Sequence, residues 1–251
     1  MTEAERLDAA VQMVDGILDL VSTHAPASVT SRDRNDQFLV LAFGRATRCL
    51  RSSRDIAAIH AEADDISVLT RALTVTVLLA AWLATPDDPD ERLMRGRIVE
   101  LTSLRSLRTQ ARSMEALGME FGALSTDFDA RITELEALGA VRKSDEAIAS
   151  ELGLDEVYAH VYRSTSHVAH YSLLTALQGF DVPDTERPID AFDGLRIRFL
   201  DGDVGGAEEA LVMAALVYVA LLERSEPVLH HGVFESSKVL LEKHVARRSD
   251  G

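Results

Sequence analysis

Ala72-Leu73-Thr74-Val75-Thr76-Val77-Leu78-Leu79-Ala80-Ala81-Trp82-Leu83-Ala84 decides the fold. The run carries no charge from end to end. A buried strand typically runs about four to eight residues, so the length selects a helix. A second charge-free run of the same kind, Ala210 to Leu222, lies near the other end of the chain. Each falls short of the roughly 20 apolar residues needed to cross a bilayer and suits a buried core helix. Two apolar rods surrounded by amphipathic helices predict an all-α protein. The expected architecture is a helical bundle of about seven or eight helices, with these two at its centre.

Working outward, helical periodicity persists. Leu7, Val11, Val14, Ile17, Leu18 and Val21 share one stripe and predict a helix from about Thr2 to Val21. The segment Thr23 to Ser31, with Pro26, reads as a loop. A second helix is expected from about Arg34 to Ala61. The third, carrying the apolar run, starts near Asp65, where Asp64 and Asp65 suit a helix N-terminus. The turn Thr85 to Asp90 caps a fourth helix from about Pro89 to Leu117, closed by Gly118. Ser125-Thr126-Asp127 reads as the N-cap cluster of a fifth helix, which reaches Leu138 and ends at Gly139. Ser144-Asp145 opens a short helix ended by Gly153, and Asp155 opens the next. From Phe180 to Gly206 the glycines and prolines predict a long loop, in which Leu195 to Leu200 alternates weakly, as a short strand would. A buried helix over about Ala207 to Glu223 and a tail helix over about Val233 to Arg247 complete a single domain, 1–251.

Composition narrows the function classes. The net charge is −15, which opposes non-specific nucleic-acid binding. The charge is uneven: Arg32 to Glu115 holds 13 Arg and no Lys against 12 Asp and Glu, so a neutral, Arg-rich middle sits within an acidic remainder. The single cysteine, Cys49, forms no internal disulfide and suits a reducing compartment. The N-terminus has no signal-peptide pattern, and the expectation is a cytoplasmic protein with no membrane partner.

The densest polar stretch is Tyr162-Arg163-Ser164-Thr165-Ser166-His167-Val168-Ala169-His170-Tyr171. On a continuous helix, measured from Arg163, Glu156 falls at about +20°, His160 at about +60°, His167 at about +40° and His170 at about −20°. Arg163 and His170 then lie two turns apart on one face. Such a pair fits metal-independent RNA cleavage. Imidazole titrates near neutral pH, so His170 would move the proton of a ribose 2′-hydroxyl or of the leaving oxygen. Arg163 would hold the phosphate in its planar fork and offset the charge that builds in the transition state. Tyr162, Ser166, His167 and His160 are candidate binding residues on the same stretch. The same residues also allow a second reading, in which Arg163 and His170 join Tyr162, Ser166 and Glu156 in a structural seam between helices or subunits.

Arg163, six intervening residues and His170 resemble the motif of the HEPN superfamily of helical ribonucleases and nucleotide-binding proteins. That resemblance implies a homodimer in which two such helices build a composite site, with RNA or a nucleotide as partner. The chain departs from the usual pattern at Ser164, where a more strongly polar or charged residue often follows the Arg. A wider resemblance covers about Leu69 to Leu177. Leu69-Thr70-Arg71-Ala72-Leu73, the Trp82 helix, the acidic turn Asp87 to Glu91 with Arg92 and Arg95, and the element Tyr162-Arg163-x-x-Ser166-x-x-x-His170 resemble a bacterial all-helical family without an assigned activity. The family's Glu four residues after the Arg is Val75 here, so an Arg–Glu pair within that helix is lost.

Arg71, placed just before the apolar run, is a further candidate binding residue. It either meets an acid as a structural ion pair or contacts an anionic ligand. Arg45, Arg48, Arg51 and Arg54 recur every third residue; the row wraps around its helix and reads as solvated and paired with acids. Glu146 to Asp155 has a helix-turn-helix cadence, but Asp155 and Glu156 would meet DNA phosphates with negative charge, which excludes DNA reading. No spacing points to a metal site or a cofactor loop, so neither metal nor cofactor is expected.

Overall fold

The computed structural model describes residues 1–24, 34–86, 88–118, 122–159, 161, 180–181, 196–197 and 204–249. Within them the chain is all-α apart from one two-residue antiparallel pair. The long helices are α1 (Glu3–His24), α2 (Arg34–Ile59), α3 (Ala63–Ala84), α4 (Pro89–Ala116) and α5 (Gly122–Ala137). Two short helices follow, α6 (Asp145–Glu151) and α7 (Asp155–Tyr158). Two more close the chain, α8 (Val204–Leu229) and α9 (Phe234–Ser249).

The two apolar runs lie in α3 and α8, which pack against each other and against α2. Leu73, Trp82 and Leu83 of α3 and Leu211, Ala214, Tyr218 and Leu222 of α8 are buried. Polar side chains survive in this interior because they bond within their own helix. Thr70, Thr74 and Thr76 donate to the carbonyls of Ile66, Thr70 and Ala72 at 2.9, 2.8 and 2.8 Å. Helix α1 lays its stripe Leu7, Val14, Ile17 and Val21 into the same core, and α9 packs along α1 and α8. Helices α4 and α5 form an antiparallel pair laced by Arg131–Glu100, Arg108–Asp129 and Arg105–Glu136.

Boundaries correct the sequence reading in four places. Helix α3 spans 22 residues and α8 spans 26, so both exceed their thirteen-residue apolar cores; by length and composition alone each is able to cross a membrane. The bundle buries 61% of the apolar window of α3 and 50% of that of α8. Helix α5 starts at Gly122, so Ser125-Thr126-Asp127 lies inside its first turns rather than capping it. Helix α8 takes in Gly205 and Gly206, which were expected in the loop, and runs past Glu223 through Pro227 to Leu229. Pro227 has no N–H to give the Glu223 carbonyl, and the helix ends two residues later. The expected strand appears at Arg196–Ile197, paired antiparallel with Phe180–Asp181. Elsewhere the turn chemistry reads as expected. Asp88 accepts from the Asp90 amide at the head of α4, and Ser144 from the Ala147 amide at the head of α6. Gly118, Gly139 and Gly153 all take positive φ at helix ends.

Candidate functional site

The predicted residues His160, Tyr162, Arg163, Ser166, His167 and His170 lie outside the described residues. The scaffold that leads into them is described. Helix α6 packs on α3, and α7 packs on α6. Tyr158 and Val161 are buried in the common core, so the backbone is anchored two residues before Arg163. The winding changes there: after the α-helical turn Asp155–Tyr158, Ala159 and Val161 adopt the wider π form. Such widenings insert an extra residue per turn and recur at functional sites.

Helix α6 is held by a second device, which spacing alone did not reveal. The indole Nε1 of Trp82 donates to Glu151 Oε2 at 2.7 Å. Lys143 pairs with the other oxygen of the same carboxylate. The Arg95 guanidinium and the Lys143 ammonium lie 4.9 and 5.3 Å from the Trp82 ring centroid, and Arg95 Nη1 donates to the Trp82 carbonyl at 2.6 Å. These hydrogen bonds to Lys143 and Trp82 hold the Glu151 carboxyl below the usual carboxylate range. Arg71 stands at the same junction. Its charge, with that of Arg142, favours ionised Asp145 at the head of α6, while burial of Asp145 acts more strongly and pushes its carboxyl up.

A more provocative arrangement closes α8. Ser225 Oγ lies 3.0 Å from His231 Nε2, and His231 Nδ1 lies 2.6 Å from Glu226 Oε2. The groups are those of a nucleophile, a base and an orienting acid. The arrangement is nonetheless shut: Ser225 is 1% exposed and His231 is 3% exposed. The Ser225 hydroxyl also donates to the Leu221 carbonyl at 2.7 Å. Glu226 is engaged as well, accepting from the Gly232 amide at 2.8 Å. Burial pushes the His231 imidazole down, against the opposing pull of Glu226. Phe43 stacks on it at 5.7 Å. No substrate reaches this hydroxyl, so the trio closes the turn His230-His231-Gly232, where His230 and Gly232 both have positive φ. The sequence reading missed it because Ser225 and His231 meet only after the helix ends and the chain reverses.

The last charged cluster is structural too. Glu208, 1% exposed, has Arg6 Nε at 3.4 Å, His244 Nε2 at 3.6 Å and Arg248 Nε at 3.7 Å within ion-pair range, with no hydrogen bond to either of its oxygens. Three helices, α1, α8 and α9, thus converge on one buried carboxylate. In the arginine row of α2, Arg45, Arg48 and Arg51 are exposed as expected, and Arg54 holds Asp15 at 2.7 and 2.8 Å. Among the described residues no group of three or more His, Cys, Asp or Glu is arranged to hold a metal ion. Comparison with family models, with curated proteins and with solved structures gives no match.

Proposed function

We propose that this protein is a HEPN-like, metal-independent endoribonuclease or nucleotide-binding protein, acting as a homodimer in the bacterial cytoplasm, with Arg163 and His170 as its working pair. The observation that carries this reading is the spacing of Arg163 and His170 in an all-α chain. The π-type winding at Ala159 and Val161, at the foot of the motif, supports it. So does the burial of Val161, two positions before Arg163 in the sequence, in the core.

The chemistry needs few parts. His170 accepts the 2′-hydroxyl proton, the 2′-oxygen attacks the adjacent phosphorus as the P–O5′ bond breaks, and the 5′-oxygen takes a proton from water, giving a 2′,3′-cyclic phosphate and a free 5′-hydroxyl; the His170 imidazolium returns its proton to solvent. Arg163 binds the non-bridging oxygens as charge accumulates on them. Tyr162, Ser166, His167, His160 and Arg71 bind the RNA around the scissile phosphate. The test is cleavage of single-stranded RNA by the full chain in the presence of chelator. His170→Ala should slow cleavage about 100- to 10,000-fold. Arg163→Ala should weaken both binding and turnover, and a 2′-deoxy oligonucleotide should stay intact. Binding of RNA or nucleotide without cleavage, lost in Arg163→Ala, selects the nucleotide-binding form.

A second reading is a non-catalytic interaction protein. It is favoured by one observation: the Ser225–His231–Glu226 trio and the Glu208 cluster of the described residues are both buried and structural. Equal behaviour of wild type, Arg163→Ala and His170→Ala towards RNA and nucleotides is the outcome that selects it.

A further inference from the structure

A cavity of about 300 Å³ lies between α1 and α9, formed by one stripe of each helix. Ala9, Gln12 and Met13 of α1 stand at i, i+3 and i+4. Leu240, Lys243, His244 and Arg247 of α9 stand at i, i+3, i+4 and i+7. Ala9, Met13 and Leu240 bring apolar surface to it, and Gln12, Lys243 and Arg247 bring donors.

Charge sets this place apart. The chain carries a net charge of −15, yet residues 243–249 hold Lys243, His244, Arg247 and Arg248 and no acid. Two of these four are already committed. His244 Nε2 and Arg248 Nε lie 3.6 and 3.7 Å from the buried Glu208 Oε1, and Arg248 also holds Glu209. The His244 ring thereby joins the cavity wall to the junction of α1, α8 and α9. Lys243 and Arg247 are exposed, and neither has an acid within ion-pair range among the described residues. Three other acids lie close in sequence. Glu242 pairs with Lys238, Asp8 is exposed one turn before Gln12 without bordering the cavity, and Asp250 falls outside the described residues.

Two free cations one turn apart suit a group with several oxygens and more than one negative charge. The Arg247 fork takes two oxygens, the Lys243 ammonium takes a third, and the Gln12 amide adds a neutral donor from the opposite helix. A phosphoryl group meets that demand, with three oxygens and about two charges at neutral pH. A carboxylate has two oxygens and one charge. The volume is that of a small-molecule site, so an organic substituent fits beside the phosphoryl group, against the apolar wall.

We infer that the cavity binds a small phosphate monoester, its oxygens on Lys243 and Arg247, Gln12 across from them, and its organic group against Met13 and Leu240. The site lies on α1 and α9 and does not rest on the nuclease reading.

The test is titration of the full chain with phenyl phosphate, followed by calorimetry and by NMR of the His244 ring and the Gln12 side-chain amide. One molecule should bind per chain, with both NMR signals moving along the calorimetric isotherm. Inorganic phosphate should bind about three- to ten-fold more weakly, because the apolar wall then stays in water. Benzoate, with one charge fewer, should bind about ten-fold more weakly. Lys243→Gln and Arg247→Gln change exposed side chains and should each weaken phenyl phosphate about three- to ten-fold, with helix content unchanged by circular dichroism. Asp8→Asn should tighten it about two-fold. No saturable binding, binding that leaves the His244 and Gln12 signals in place, or full affinity in both folded variants overturns the site. Benzoate binding as tightly as phenyl phosphate overturns the phosphoryl assignment, and inorganic phosphate binding as tightly overturns the ester; both comparisons need only wild-type protein.

Discussion

Trp82 is the only tryptophan in the chain, and its indole hydrogen-bonds a carboxylate. That makes one side-chain contact readable by fluorescence. Glu151 titrates below its ordinary value of 4.5, so its pairing is fully present above that pH and is lost as pH falls through the lower, folded value. A step in Trp82 emission is therefore expected below pH 4.5, ahead of global unfolding. In Glu151→Gln the amide oxygen still accepts from Nε1 but carries no titrating charge, so the acid step should vanish. An unchanged step in that variant would assign it to another group. Neither partner was legible in advance, because Trp82 and Glu151 are 69 positions apart and meet only where α6 lies on α3.

Among the elements, α2 and α4 are joined at one close approach. Asn35, 2% exposed, donates from its Nδ2 to the Arg92 carbonyl, and a Cβ on Gly96 would fall 2.0 Å from Asn35 Oδ1. Ala is the better helix former by about 1 kcal/mol, so propensity alone favours Gly96→Ala. The clash decides otherwise. Asn35 is short and buried, and moving it strands its amide, at a cost of about 1–3 kcal/mol, on top of the overpacking. Gly96→Ala should therefore destabilise the protein by about 1–5 kcal/mol in urea unfolding, against a gain if the helices simply slid apart. The glycine is visible in the sequence, but its role is not: a glycine inside a helix reads as a weakness until the neighbouring helix is in place.

For the whole molecule, α2, α3 and α8 form the common interior. Leu211 is fully buried where α8 enters it. Leu211→Ala should cost about 2–5 kcal/mol, the transfer loss plus the cavity left behind. Helicity and side-chain probes should melt together if the core is one cooperative unit. A loss below about 0.5 kcal/mol would mean that α8 is not packed as described.

Helix positions were largely legible from local chemistry. The two apolar runs, the stripe Leu7–Val14–Ile17–Val21, the cap Ser144 and the stop glycines Gly118, Gly139 and Gly153 act within a few residues of themselves, so spacing alone reveals them. The Ser125 cluster misled because a good capping residue is also tolerated inside a helix, and α5 begins before it at Gly122. The candidate pair Arg163 and His170 was named from spacing alone. Tertiary structure alone decided the Ser225–His231–Glu226 closure, the carboxylate shared by α1, α8 and α9, and the cation-flanked Trp82. Each joins side chains whose distance depends on how rods cross or how the chain reverses. A one-dimensional pattern records which face of a helix is apolar, and carries no record of what that face will meet.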